Sequence, residues 1–220
     1  MGQFGKNFHP RATIPLEMLS ESLNEILMTV KFSMQYRKSY DSEFWGVTEK
    51  NDGILGFPSC MLLFSIVDTL GGYFENNPEF KISVKGLSEP QIINNENNTH
   101  FYILNSHLFN LNLSNGDIKR LYECRTSLLH NSVLTDGVIL REANEKDFIE
   151  KVKFKEKTFL SVGITDFYYA CEDAVETFFN NPIVINRPLK HRTKFLYKGI
   201  SNEKGLRELT NGEFWAMRTS

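Results

Sequence analysis

From Pro58 to Leu70 the chain has almost no polar side: Cys60, Met61, Leu62, Leu63, Phe64, Ile66 and Val67 cover nearly every direction of a helix of that length. A helix that is apolar all round must be enclosed by other elements, so the segment predicts a central rod with the rest of the fold packed about it. Gly71-Gly72 follows, and a glycine entering the left-handed region is a low-energy way to end a helix there.

The elements that would enclose the rod are legible in the spacing of apolar residues. Leu19, Leu23, Ile26, Leu27, Val30 and Met34 recur at intervals of three and four, the signature of one helical face, with Pro15 placed as a first-turn residue. Ser114 is followed three residues later by Asp117, a capping arrangement that opens a helix with Ile118, Leu121, Tyr122, Leu128 and Leu129 on one side, running to about Ser132 and closed by Asp136-Gly137. Ile164, Phe167, Tyr168, Cys171, Val175 and Phe178 repeat the pattern before Asn180-Asn181-Pro182. A shorter helix is predicted around Phe101, Leu104, Leu108 and Leu111, after a loop over 75–98 rich in Asn, Glu, Pro and Gly. Val138-Ile139-Leu140 and Lys151 to Val162 favour extended structure and read as a solvated hairpin, with the lysines of 151–157 discouraging further pairing along its edge.

The fold class expected is therefore mainly all-α. It is a four- or five-helix bundle over residues 1–181, with a small β-hairpin inserted at about 137–162 and a C-terminal tail over 182–220. The chain has 220 residues, enough for one compact core. Aromatics supply 13% of them and Phe alone 18 residues, an apolar stock that offsets chain entropy and excludes disorder over most of the length.

The formal charge of -2 excludes a polycation, but it is unevenly spread. Residues 182–220 hold 8 basic and 3 acidic side chains, a net +5, against 17 and 24, a net -7, over residues 1–181. Attraction to a polyanion is thus concentrated in the tail, where Lys190, Arg192, Lys194 and Lys198 are interleaved with Phe195 and Tyr197 and followed by Phe214 and Trp215. That composition suits phosphate contacts and base stacking, and equally an arm packed on a partner.

Cys60, Cys124 and Cys171 are odd in number, far apart and in no C-x-x-C pair, which argues against a disulfide framework or a thiolate zinc site and fits a reducing cytoplasm. They sit on or beside apolar helical positions, as core residues do. His9, His100, His107 and His191 show no ligand spacing with each other or with carboxylates, so no metal and no cofactor is expected. No signal-like segment opens the chain, and the stretch Phe57 to Leu70 is too short to span a bilayer and contains Asp68; no membrane association is expected. The N-x-[ST] sequons at Asn97 and Asn112 are then loop composition.

Arg125 breaks the pattern. It lies on the line of Leu121, Tyr122, Leu128 and Leu129, where an aliphatic residue belongs, and an inward guanidinium needs a partner. Asp68, anomalous in its own apolar helix, is the partner the pattern predicts. Five residues after Arg125 comes His130, followed by Asn131 and Ser132 where the chain emerges to water. An imidazole there can exchange protons near neutral pH.

Arg125-Thr126-Ser127-Leu128-Leu129-His130, with Asn131 directly after, resembles the R-x(4–6)-H motif of the HEPN superfamily of helical bundles, many of which are metal-independent endoribonucleases of toxin, antiviral and RNA-processing systems. Phe57-Pro58 opening a helix that carries Asp68 before Gly71-Gly72 is similar to the family's preceding helix. The likeness spans roughly residues 16–180 in helix order and is sharp over about 120–134. The family commonly has a polar residue, often Asn, after the arginine; here it is Thr126, which keeps a hydroxyl without the amide.

The resemblance implies Arg125 and His130 as catalytic residues, supported by Asp68, Thr126 and Asn131. RNA would be cleaved by attack of the 2′-OH on the adjacent phosphate. Arg125 and His130 differ by about 140° of rotation and about 7.5 Å of rise on one helix, so one chain holds half a site. The resemblance implies a homodimer through this helix, with RNA as substrate and an antitoxin or regulatory protein among the partners. Plainer roles fit the same residues: an ion pair that sets helix register, an imidazole that caps a helix end, and a non-catalytic module that binds nucleotide, nucleic acid or a protein.

Overall fold

The computed structural model describes residues 15–48, 52–94, 96 and 98–181. Among the described residues five α-helices, α1 (Pro15–Gln35), α2 (Ser42–Trp45), α3 (Gly56–Tyr73), α4 (Asn115–Asn131) and α5 (Ile164–Phe179), account for most of the regular structure, with 3-10 segments at Lys38–Asp41 and Thr99–Asn105. The protein is mainly helical. The tail, with Lys190, Arg192, Lys194 and Lys198, lies outside the described residues.

The all-apolar α3 is enclosed, as its composition requires. It packs against α1, α4, α5 and the 3-10 helix Thr99–Asn105, and its Cys60, Leu63, Phe64, Ile66, Val67 and Leu70 have no measurable exposure. α1 presents Leu23, Leu27 and Val30, and α5 presents Phe167, Cys171, Ala174 and Phe178. Aromatic rings join these layers, Phe64 lying 5.4 Å from Phe167 and 5.6 Å from Phe101 between centroids. Each such ring contributes about 1.5 to 3 kcal/mol relative to an exposed one.

α3 does not end at its glycines. It runs through Gly71-Gly72 to Tyr73, and the capping residue Phe74 has φ -90, outside the left-handed region. The reason for the first glycine is packing: a Cβ on Gly71 would overlap the carbonyl oxygen of His100, so the 3-10 helix can lie directly on the α3 backbone only if that side chain is absent. The short helix expected over Phe101, Leu104, Leu108 and Leu111 is this tighter 3-10 form, with Phe101, Tyr102, Ile103 and Leu104 buried; it stops at Asn105, so Leu108 and Leu111 lie beyond it. The preceding segment, expected as loop, holds a two-residue antiparallel ladder between β1 (Lys81–Ile82) and β2 (Gln91–Ile92).

The β appendage is larger than the hairpin expected. β4 (Ile149–Phe154) and β5 (Lys157–Gly163) do form an antiparallel hairpin, but β3 (Val138–Arg141) adds on the other edge of β5, parallel to it, with Val138 opposite Leu160. The physical reason lies in β5: Leu160, Ser161, Val162 and Gly163 are buried on both faces, and a strand so covered is most stable with both edges hydrogen-bonded. β4, with Lys151 and Lys153 exposed, remains the outer edge. Arg37, just after α1, ties the sheet to the helices through two hydrogen bonds to Glu142, at 2.7 and 2.6 Å.

Candidate active site

α4 is fixed first at its N-terminus. The Asp117 amide donates to Ser114 Oγ at 3.2 Å and the Ser114 amide donates to Asp117 Oδ2 at 3.3 Å, a complete capping box. Lys151 of β4 adds an ion pair to the same carboxylate at 2.8 Å. Burial pushes the Asp117 carboxyl up, but the hydrogen bonds from Lys151 and Ser114 outweigh it and hold its pKa below the ordinary value. With this end anchored, the helical period turns Ile118, Leu121, Cys124 and Leu128 into the core and leaves Arg125 on the flank that faces α3.

There Arg125 and Asp68 meet. Arg125 Nη2 donates to Asp68 Oδ2 at 2.6 Å, with the two side chains 22% and 26% exposed. A pair so placed is neither fully solvated nor sealed: enough water is excluded to strengthen the attraction, and the guanidinium still borders solvent. Arg125 Nε is buried without a hydrogen-bond partner, so the fork is only partly used within the chain.

The other oxygen of Asp68 is also taken. His100 Nδ1 lies 2.9 Å from Asp68 Oδ1, and since an ionised carboxylate only accepts, Nδ1 carries the proton. His100 Nε2 stands 3.6 Å from Glu75 Oε2. Sequence spacing did not reveal His100, which is 32 residues from Asp68 and follows the Asn-rich loop; only the close approach at Gly71 brings its ring to the site.

His130 lies elsewhere on the helix. It is exposed in the last turn of α4, beside exposed Asn131, and Ser132 closes the helix in the left-handed conformation with its amide on the Leu128 carbonyl at 3.2 Å. A cationic imidazole there would answer the negative end of the helix. Thr126 is half-buried, with its hydroxyl unpaired. Leu129, which its spacing grouped with the inward residues, is 42% exposed, because it lies a further 40° beyond Arg125 around the helix. The structure thus joins Asp68 to Arg125 and adds His100 and Glu75, whereas His130 and Asn131 face outward.

All three cysteines are free and buried, and burial raises each thiol pKa above its ordinary value, which suppresses the thiolate. Among the described residues no group of three or more His, Cys, Asp or Glu could hold a metal ion, and no helix is long and apolar enough to cross a membrane. A cleft of about 500 Å³ lies at the opposite end of α4, around Asp117 and Lys151; it includes neither Arg125 nor His130, and its basic and acidic side chains balance. No protein-family model, no curated protein and no solved structure matches the chain.

Proposed function

We propose that the protein is a metal-independent endoribonuclease of the HEPN type, working as a homodimer in which two copies of α4 bring two Arg125 and two His130 side chains to one cleft. The observation that carries this reading is the pairing on one helix of a half-buried arginine, aimed by an acid from α3, with an exposed histidine five residues further on. Arg125 matches the equatorial oxygens of a phosphate in transition, and oriented donors of this kind are worth about 10² to 10³ in rate. Asp68 fixes the direction of the fork without cancelling it, because it engages the guanidinium through Nη2.

His130 supplies the proton transfers. One imidazole accepts the proton of the 2′-OH as that oxygen attacks phosphorus, and the partner's imidazolium protonates the 5′-oxygen as the P–O5′ bond breaks. The products are a 2′,3′-cyclic phosphate and a 5′-hydroxyl. General acid–base transfer of this kind contributes about 10² to 10⁴ in rate. Two-fold symmetry answers the 140° between the side chains, since each protomer then contributes what the other lacks.

A second reading has its own support. With Asp68 satisfied by both Arg125 and His100, the cluster is also a sound ion-pair lock, as in a non-catalytic HEPN-like binding module. To decide, the chain is incubated in chelator with end-labelled single-stranded RNA, beside Arg125→Ala and His130→Ala, and its mass in solution is measured. Cleavage by the dimeric wild type with cyclic-phosphate ends, lost in both variants, is expected. Cleavage surviving in both variants removes the site assignment, and none in any protein favours the binding module.

A further inference from the structure

The 3-10 helix Thr99–Asn105 contributes a histidine that the motif on α4 does not contain. His100 holds Asp68 Oδ1 at 2.9 Å while Arg125 holds Oδ2 at 2.6 Å, so the carboxylate is gripped at both oxygens. The terminal torsion of an aspartate is broad and soft, and hydrogen bonds at both oxygens help to set the carboxylate plane, and with it the line along which Oδ2 meets the guanidinium.

The imidazole is itself held in place. Its backbone lies on α3 at Gly71, where any Cβ would overlap the His100 carbonyl oxygen. The next residue, Phe101, is wedged between Phe64 of α3 and Tyr122 of α4, with ring centroids 5.6 and 5.7 Å away. On its far side Nε2 faces Glu75 Oε2 at 3.6 Å, a charge contact without a hydrogen bond, so the ring is oriented by its backbone and by Asp68. The ring is 24% exposed, about as much as Arg125 and Asp68, so the three side chains sit together at the edge of the solvent. Glu75, His100, Asp68 and Arg125 form one line of charged or ionisable groups that ends at the guanidinium.

We propose that His100 is a positioning residue, which through Asp68 sets the orientation of the Arg125 guanidinium. Its effect on cleavage rests on the ribonuclease reading; its effect on Arg125 rests on the geometry alone. A reacting group misplaced by about 1 Å can cost about 10²-fold, so the contribution is felt in turnover and not in substrate affinity.

Three variants of the full chain separate positioning from space filling. His100→Asn puts an amide N–H near the place of Nδ1 and keeps the bond to Asp68; His100→Gln fills the space but reaches toward the place of Nε2; His100→Ala removes both. With labelled single-stranded RNA, His100→Ala and His100→Gln are expected to lower kcat about 10- to 100-fold with KM within about twofold, while His100→Asn stays close to wild type. In an Asp68→Asn background, His100→Gln should have no further effect, because its route is already cut. Should His100→Ala not fold, the Asn and Gln variants carry the comparison.

The second readout needs no activity. The side-chain ¹⁵N–H signals of Arg125, assigned by their loss in Arg125→Lys, are expected to be slowly exchanging and distinct in wild type and His100→Asn, and averaged in His100→Gln. Signals unchanged in His100→Gln, or kcat equal in the Asn and Gln variants of an active enzyme, overturn the proposal. If wild type cleaves no RNA, the ribonuclease reading fails, and the Arg125 signals alone decide whether His100 positions it.

Discussion

The two ends of α4 use charge in opposite ways. At the N-terminus Asp117 is 7% exposed and its carboxylate is consumed by the capping box and by Lys151. Toward the C-terminus Arg125 shares one carboxylate with a histidine, meets it through Nη2, and is followed by an exposed imidazole. Fully paired charge locks an element in place; charge that is aimed but only partly paired remains available to a phosphate. The first end explains why the helix starts where it does, and the second explains why this helix, among five, is where chemistry is proposed.

The largest effect that would break this contrast is catalytic. Arg125→Ala is expected to lower RNA cleavage by about 10² to 10³, equivalent to about 2.7 to 4 kcal/mol, in a single-turnover assay. An unchanged rate would make the C-terminal end as purely structural as the N-terminal one. Next comes Gly71→Ala, which drives a methyl group into the His100 backbone and should destabilise the fold by about 1 to 3 kcal/mol in urea unfolding. If stability is unaffected, the close approach that builds the polar cluster is not under the constraint described.

The smallest effect sharpens the other end. Ser114→Ala removes half of the capping box and should cost about 1 kcal/mol at neutral pH. Asp117 has a folded pKa below its unfolded one of about 3.9, so its contribution is complete above that value and is lost as pH falls through the lower folded value. Wild type should therefore lose stability faster than Ser114→Ala on acidification below about pH 4, measured as unfolding midpoints across pH. Parallel acid limbs would mean that Ser114 plays no part in holding the carboxylate down.

Local pattern made much of this legible. The capping box over Ser114 and Asp117 is present because its partners are three residues apart, and α1 and α5 follow their apolar periods because one face of each meets α3. The Asp68–Arg125 contact was readable as two polar residues out of place in apolar surroundings, each costly to bury alone. His100 and Glu75 were not readable, since nothing in their neighbourhoods differs from ordinary loop and helix-end composition. The role of Gly71 was misread for a related reason: a glycine that ends a helix and one that admits a neighbour look alike until the neighbour is known.

By itself, then, the order of residues determined the number and faces of the main helices, the capped start of α4 and the need for a partner to an inward arginine. These follow from interactions within a few residues or from burial costs that hold wherever the chain goes. Tertiary structure alone decided that β3 joins the hairpin, that α3 continues through its glycines, and that His100 grips Oδ1 of Asp68. Each depends on which distant segment comes to lie against which, and the free energy that selects the match appears only when both surfaces are in contact.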